Sequence, residues 1–197
     1  MDIKTETRLL IEAALAGDPA LTSLTVSGDT LKTLAAAIVP GAPASTIGGA
    51  TYRSQPPFQR ETLTELVLRM QRLRWRRFSP TTRMLVPPVY EDLLALRSKH
   101  VRATVGFECG PGWADLLDAL FTWLAEIAPR ADWHPVQVKE KFASLRFYWT
   151  GDLPDLGQQV IKAAEHVSGN VCEVCGAPGA LEHDSGWMTT RCRLHIG

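Results

Sequence analysis

Apolar residues recur every three or four positions along most of the chain, the spacing that places them on one face of an α-helix. The longest such stripe consists of Leu63, Leu66, Val67, Met70 and Leu73. We predict helices at about 5–16, from near Ser27 to Pro40, at about 60–78, at about 89–100, at 112–127 and at about 154–168. Gly17, Pro40 and Pro129 follow three of these segments, as expected where helices end.

Strict alternation of apolar and polar residues replaces the helical spacing between residues 136 and 149. The apolar members are Val136, Val138, Phe142, Leu145, Phe147 and Trp149. This pattern predicts a β-hairpin with Ala143-Ser144 as its turn. Residues 40–58 are rich in glycine, proline and serine, so we expect a long connection there with one short strand near residues 50–53.

Two pairs of metal-ligand residues lie near the C-terminus. Two residues separate Cys172 from Cys175, and two separate Cys192 from His195. Zinc binds four such ligands tetrahedrally, and a site with four protein ligands leaves no position for a substrate. The spacing therefore predicts a structural Zn²⁺ site in a zinc ribbon. Two alternatives are a redox-active cysteine pair and a site in which His183 replaces His195.

Together these patterns predict an α+β protein in three parts. We expect residues 1–104 to form a helical N-terminal region, residues 105–168 a central helix–β-hairpin–helix unit, and residues 169–197 the zinc ribbon. The N-terminal region is the candidate partner-binding surface. Whether it packs on the rest as one domain is not decided by the sequence.

The composition narrows the class of protein. The 197 residues are 45% hydrophobic with a net charge of zero, which excludes a disordered chain. No apolar run approaches the ~20 residues of a membrane helix, and the N-terminus lacks the pattern of a signal peptide. We therefore expect a cytoplasmic protein without a membrane contact, whose four cysteines are thiols or metal ligands.

The zero net charge conceals an asymmetry. Residues 53–102 hold eleven basic and four acidic residues, a net charge of +7, and the rest of the chain carries −7. One interpretation is a positive surface that binds an acidic partner. The other is that the two parts attract each other within the fold.

The predicted helix at 60–78 carries the candidate interaction surface. Arg69, Arg72 and Arg76 lie on one face, and Trp75 lies on the flank beside them. Arginine with tryptophan is typical of a protein-binding hot spot and also of nucleic-acid contacts. The alternative is a solvated helix whose Trp75 is buried by another part of the fold.

Cys109 precedes the predicted helix at 112–127, where a helix N-terminus can lower the pKa of a thiol. A nucleophilic cysteine would need a base, and His134 and His166 are the histidines that could supply one. Free cysteine is also among the most buried residue types, so a packing role is the alternative.

Four blocks of sequence carry a resemblance. They are ECGPGW at 108–113, VKEKFASLRFYW at 138–149, CEVCGAPG at 172–179 and TRCRLH at 190–195. In this order they resemble a family of small zinc-binding proteins from bacteriophages, prophages and their hosts. The resemblance spans about residues 105–197 and departs at Ala143, where the family usually has glycine. It implies a zinc-bearing α/β module and a mobile-element origin, but no reaction.

Three functions follow as hypotheses. The first is a non-catalytic binding protein that acts on a host protein or nucleoprotein complex, for example as an inhibitor of a defence system such as a CRISPR effector. The second is a DNA- or RNA-binding regulator that uses the arginine-rich helix. The third is a hydrolase or transferase that uses Cys109. The sequence does not predict the oligomeric state.

Overall fold

The computed structural model describes residues 1–101, 105–129, 132–184 and 186–196. The helices are α1 (Ile3–Ala14), α2 (Arg60–Arg74), α3 (Tyr90–His100), α4 (Ala114–Ile127) and α5 (Asp155–Ser168). The strands are β1 (Thr25–Ser27), β2 (Ala35–Ala37), β3 (Thr46–Ile47), β4 (Ala50–Thr51), β5 (Phe78–Ser79), β6 (Met84–Leu85), β7 (Phe107–Glu108), β8 (His134–Lys141), β9 (Ser144–Thr150), β10 (Ala180–Asp184) and β11 (Trp187–Arg191). This mixture of helices and small sheets confirms the α+β class.

Helices α2, α4 and α5 pack against one another and form the centre of the fold. Each carries an apolar stripe at helical spacing, and α1 packs its own stripe on α2. Buried side chains from both sides of residue 104 therefore belong to one hydrophobic core. Its members include Leu10, Leu63, Leu117, Leu120, Phe147 and Val160.

A three-stranded sheet packs beside α5. Strand β8 pairs antiparallel with β9 and parallel with β7, which confirms the predicted hairpin. The turn lies one residue earlier than predicted, because Phe142 and Ala143 both have positive φ angles (54° and 61°). On the free side of β9, the amide of Phe147 donates to Glu165 and the amide of Leu145 to Ser168, so α5 side chains cover this edge.

The helix predicted from Ser27 to Pro40 is wrong, because this segment forms the antiparallel β1–β2 hairpin. The hydroxyl of Thr30 accepts a hydrogen bond from the amide of Thr33, and the hydroxyl of Thr33 accepts one from the amide of Thr30. These local bonds close a turn in competition with helical ones. Leu34 is buried at the end of this turn, so its apolar side chain is removed from water although no helix forms.

The N-terminal region is less purely helical than predicted. Besides α1, α2 and α3 it contains three short hairpins, β1–β2, β3–β4 and β5–β6. Strand β4 falls where one short strand was expected near residues 50–53. The other predicted helices agree with α1, α2, α3, α4 and α5 to within a few residues. Among the residues that the structure describes, no helix has the length and apolar character needed to cross a membrane.

Candidate metal centre

The structure brings the two predicted pairs of ligands together. One ligand atom from each of Cys172, Cys175, Cys192 and His195 lies within 4.8 Å of the other three. The Sγ atoms of Cys175 and Cys192 are 3.6 Å apart. His195 Nδ1 lies 3.7 Å from the Sγ of Cys172 and 3.2 Å from the Sγ of Cys192.

These distances match a tetrahedral zinc ion. Zinc–sulfur bonds of ~2.3 Å and zinc–nitrogen bonds of ~2.0–2.1 Å place two sulfur ligands about 3.8 Å apart and a sulfur and a nitrogen about 3.6 Å apart. The observed edges, 3.2 to 3.7 Å, agree within a few tenths of an ångström. Three sulfurs and one imidazole nitrogen are also a donor set typical of structural zinc. The residues therefore fit this metal.

Two tight turns present the four ligands. The amide of Gly176 donates to the carbonyl of Cys172, and the amide of His195 donates to the carbonyl of Cys192, both at 2.8 Å. The β10–β11 hairpin joins the turns. His183 lies on β10, where it is exposed and outside the cluster.

The electrostatics of the cluster favour at least one thiolate. Hydrogen bonds from the Cys175 thiol and from backbone amides of the cluster hold the pKa of Cys172 far below its ordinary value, at about 4. The hydrogen bond to Cys172 raises the pKa of the Cys175 thiol, and burial and repulsion by the charge on Cys172 raise it further. A bound cation would remove this repulsion, since metal ligands are deprotonated cysteines.

Arg74 is a supporting residue that the sequence analysis missed. Its Nη1 donates to the carbonyl of Cys175 at 2.7 Å, and its Nε donates to the carboxylate of Glu6 on α1. Arg74 and Glu6 are both buried, so α1, α2 and the metal cluster meet at one ion pair. A signal was present in the sequence, because Arg74 follows Val67 and Met70 by seven and four residues on the apolar stripe.

The ECGPGW segment packs directly against the first metal turn. The amide of Gly112 donates to the carbonyl of Glu173 at 2.8 Å, and the amide of Gly110 donates to the Glu173 carboxylate at 2.9 Å. A Cβ atom on Gly112 would lie 2.2 Å from the carbonyl oxygen of Cys172, so only glycine fits there. The indole of Trp113 is fully buried and donates to the carbonyl of Val171. Two blocks distant in sequence therefore form one structural unit.

The predicted arginine face is mostly engaged within the chain. Arg69 pairs with Glu65 and Glu126, both at 2.7 Å, and stacks over the ring of Trp123. Arg72 donates to the carbonyl of Leu34.

The remaining predicted contact residues lie at the end of α2. Trp75 is half-buried and stacks on Phe78. Its indole nitrogen is buried and has no hydrogen-bond partner within the described residues. Arg76 is exposed. The structure therefore leaves Arg76, and not the whole predicted face, available to a partner.

Cys109 has the properties of a packing residue. It is buried, and desolvation together with the negative charges of Glu173 and Glu140 raises the pKa of its thiol to about 12. The thiol is therefore protonated at neutral pH. Among the described residues, neither His134 nor His166 forms a hydrogen bond with it.

Comparisons with known proteins returned no relatives. No family model matches the chain, and no curated protein and no solved structure matches it. What the fold and the site define is thus an α+β protein with a Cys₃His cluster compatible with a metal such as zinc.

Proposed function

We propose that this chain is a non-catalytic binding protein whose Cys₃His cluster holds a structural Zn²⁺ ion. The observation that carries this proposal is the ligand set, since Cys172, Cys175, Cys192 and His195 offer four ligand atoms within 4.8 Å of one another, the number that a closed tetrahedral site needs. A catalytic zinc site keeps one position open for water or substrate, and this arrangement keeps none.

The role of the metal follows from what the ligands connect. Cys172 and Cys175 belong to a turn held by Arg74 and by the 108–113 segment, whereas Cys192 and His195 follow the β10–β11 hairpin. When bound, zinc would supply a cross-link between these two parts and would neutralise the thiolates. The hairpin has few buried apolar residues of its own, so its position depends on this link.

The partner that we propose is an acidic surface of a host protein or nucleoprotein complex. The resemblance to phage and prophage proteins makes a host defence complex, such as a CRISPR effector, the first class to test. Cysteine ligands that must stay reduced suit a cytoplasmic protein. Exposed arginines that form no ion pair with the described residues, among them Arg76, support an acidic partner.

Direct DNA or RNA binding by α2 is less favoured. Arg69 is held by two carboxylates and Arg72 by a backbone carbonyl, so neither side chain is free to pair with a phosphate. Nucleic-acid binding stays a prediction. Its signature would be an affinity that falls steeply with salt as counterions are released.

The test of the structural metal is the zinc content of the purified chain, measured by elemental analysis. We expect one zinc per chain in the wild type and a loss in Cys175→Ser. Cys109→Ala is the matched control, because it removes a cysteine that lies outside the cluster and should keep the metal.

Substitution with Co²⁺ tests whether the site is closed. We expect the absorption of a tetrahedral cobalt centre with thiolate ligands, and no change when azide or cyanide is added. A spectrum that shifts with these anions would reveal an open coordination position and would refute the structural role. Equal zinc loss in the Cys109 control would refute the assigned ligands.

A further inference from the structure

A groove lies beside the metal cluster, between the β5–β6 hairpin and the turn that carries His195. Its volume is about 330 Å³. Apolar side chains form most of its walls, and they include Trp75, Phe78, Met84, Leu85 and Leu194. The groove adjoins the C-terminal end of α2, where Arg74 and Trp75 line it. Arg69 and Arg72 are not part of the lining.

Several wall residues are exposed to solvent. The exposed fraction is 65% for Met84, 86% for Leu194 and 40% for Phe78. A single exposed apolar side chain is ordinary on a protein surface, but several around one concavity are typical of a binding site. Because the three come from two distant segments, the fold has assembled this apolar surface.

An exposed cation, Arg83, lines the groove. Arg76 and Arg193 adjoin the lining residues Trp75 and Leu194 in sequence but are not themselves in the lining. All three arginines are exposed, and none forms an ion pair with the described residues.

The acidic residue in the lining does not offset this charge. Glu6 is buried, and its carboxylate is paired with Arg74. The groove therefore presents an apolar interior and one exposed arginine, Arg83, that has no ion pair among the described residues. This combination is complementary to a ligand with apolar side chains and negative charges beside them.

The metal cluster forms part of the groove itself. Cys175 and His195 line it, and Arg74, which donates to the carbonyl of Cys175, lies in its floor. A metal ion bound by the cluster would hold Cys175 and His195 in place, and this would fix one wall of the groove and the position of Leu194. The groove is therefore shaped before a ligand arrives, which lowers the entropy cost of binding.

We propose that this groove binds a segment of another protein in which large apolar side chains are flanked by aspartate or glutamate. The inference rests on the proposed function as a binding protein and adds the location of the surface and the chemistry of the partner. The apolar side chains of the segment fill the space between Phe78, Met84 and Leu194. Its carboxylates face Arg83.

The experiment selects peptides from a random displayed library against the zinc-loaded full chain. Enriched peptides are then synthesised with a fluorescent label and titrated by anisotropy. We expect them to combine large apolar residues with aspartate or glutamate. Substitutions Met84→Ser and Arg83→Glu should each weaken their binding roughly tenfold or more, the effect of losing a central contact.

Matched controls carry the same changes elsewhere. Val136→Ser shortens an apolar residue that is exposed on β8, and Arg53→Glu reverses an exposed charge outside the groove lining. Both variants should bind the selected peptides like the wild type.

Three outcomes would overturn the proposal. They are a failure to enrich any peptide, enrichment of basic peptides, and equal binding by Met84→Ser and the wild type. DNA is titrated in parallel. If no peptide is enriched and DNA binding is lost in Arg83→Glu, then Arg83 contacts phosphate groups of nucleic acid and not carboxylates of a peptide. Zinc content, measured in every sample, distinguishes a failure of the groove proposal from a failure of the proposed function. A zinc-loaded chain without peptide binding overturns the groove alone, whereas a chain that binds no zinc overturns the proposed function.

Discussion

The buried ion pair between Arg74 and Glu6 offers the sharpest test of how the metal cluster is joined to the helical core. The two side chains are only 6% and 3% exposed, and Arg74 also donates to the carbonyl of Cys175. In Arg74→Met the carboxylate of Glu6 stays buried without its counter-charge. Breaking a buried pair in this way costs about 3–5 kcal/mol. We expect a loss of this size in the free energy of unfolding.

The assay is urea unfolding of the zinc-saturated chain at one fixed concentration of free Zn²⁺, because bound metal adds to the measured stability. Arg53→Met is the matched control, since it removes an exposed arginine that forms no ion pair with described residues. Its effect should stay within about 0.5 kcal/mol. A loss of less than about 1 kcal/mol in Arg74→Met, where a broken buried pair costs several times more, would refute the reasoning.

A second measurement, zinc affinity, distinguishes the role of the Arg74–Glu6 ion pair from that of the hydrogen bond between Arg74 and the Cys175 carbonyl. Arg74→Met removes the donor to the Cys175 carbonyl, so zinc affinity should fall about 10–100-fold, as is common when an outer-shell contact of a metal site is lost. Glu6→Gln leaves that donor in place and should weaken zinc binding less. Equal losses of zinc affinity in the two variants would show that Arg74 acts only through global stability.

Three further tests concern Gly112, Cys109 and Asp118. Gly112→Ala should destabilise the chain by about 1–3 kcal/mol and weaken zinc binding, because its Cβ would meet the Cys172 carbonyl at 2.2 Å. Gly106→Ala, with no atom within 4 Å of its Cβ, should change neither, and equal effects would contradict the close packing. The raised pKa of Cys109, about 12, predicts that iodoacetamide leaves this thiol unlabelled in the folded chain at neutral pH, and labelling seen by mass spectrometry would refute its burial. The hydrogen bond from His100 and the Lys99 ammonium lower the pKa of Asp118 to about 2, so its ionised form adds stability above the unfolded value near 4 that is lost as the pH falls towards 2. Asp118→Asn should therefore cost about 1 kcal/mol at pH 7, a figure reduced for solvent screening, and less at pH 3; a loss independent of pH would refute the assignment.

The features that the sequence predicted correctly are those with a local cause. Two residues between ligands place both on one tight turn whatever surrounds them, so the metal pairs were visible without a fold. The stripes of α2, α4 and α5 are long enough for the helical period to be unambiguous. The β8–β9 hairpin was found for the same reason, although positive φ angles at Phe142 and Ala143 moved its turn by one residue.

The incorrect helix shows where local pattern fails. Leu31, Leu34 and Ile38 have helical spacing, but a short apolar segment fits a helix and a hairpin equally well. Side-chain hydrogen bonds of Thr30 and Thr33 decide between them. Such bonds depend on rotamers and on the burial of Leu34 beneath α2, which a one-dimensional pattern does not contain.

The charge asymmetry shows why counting residues does not locate a binding surface. The segment of net charge +7 supplies many cations that pair with acids outside it. These pairs are Arg60–Asp18, Arg69–Glu126, Arg74–Glu6, Arg77–Asp115 and Lys99–Asp118. Much of the attraction between the two parts is therefore satisfied within the fold, as one of the two sequence interpretations held.

This pairing also decides which arginines can contact a partner. A charge that is already neutralised gains little from a second carboxylate, because its first pair would have to be broken. Arg76, Arg83 and Arg193 are exposed and have no ion pair among the described residues, and Arg83 lines the apolar groove. The groove proposed as the binding surface therefore lies at the C-terminal end of α2 beside the metal cluster, and not on the predicted arginine face.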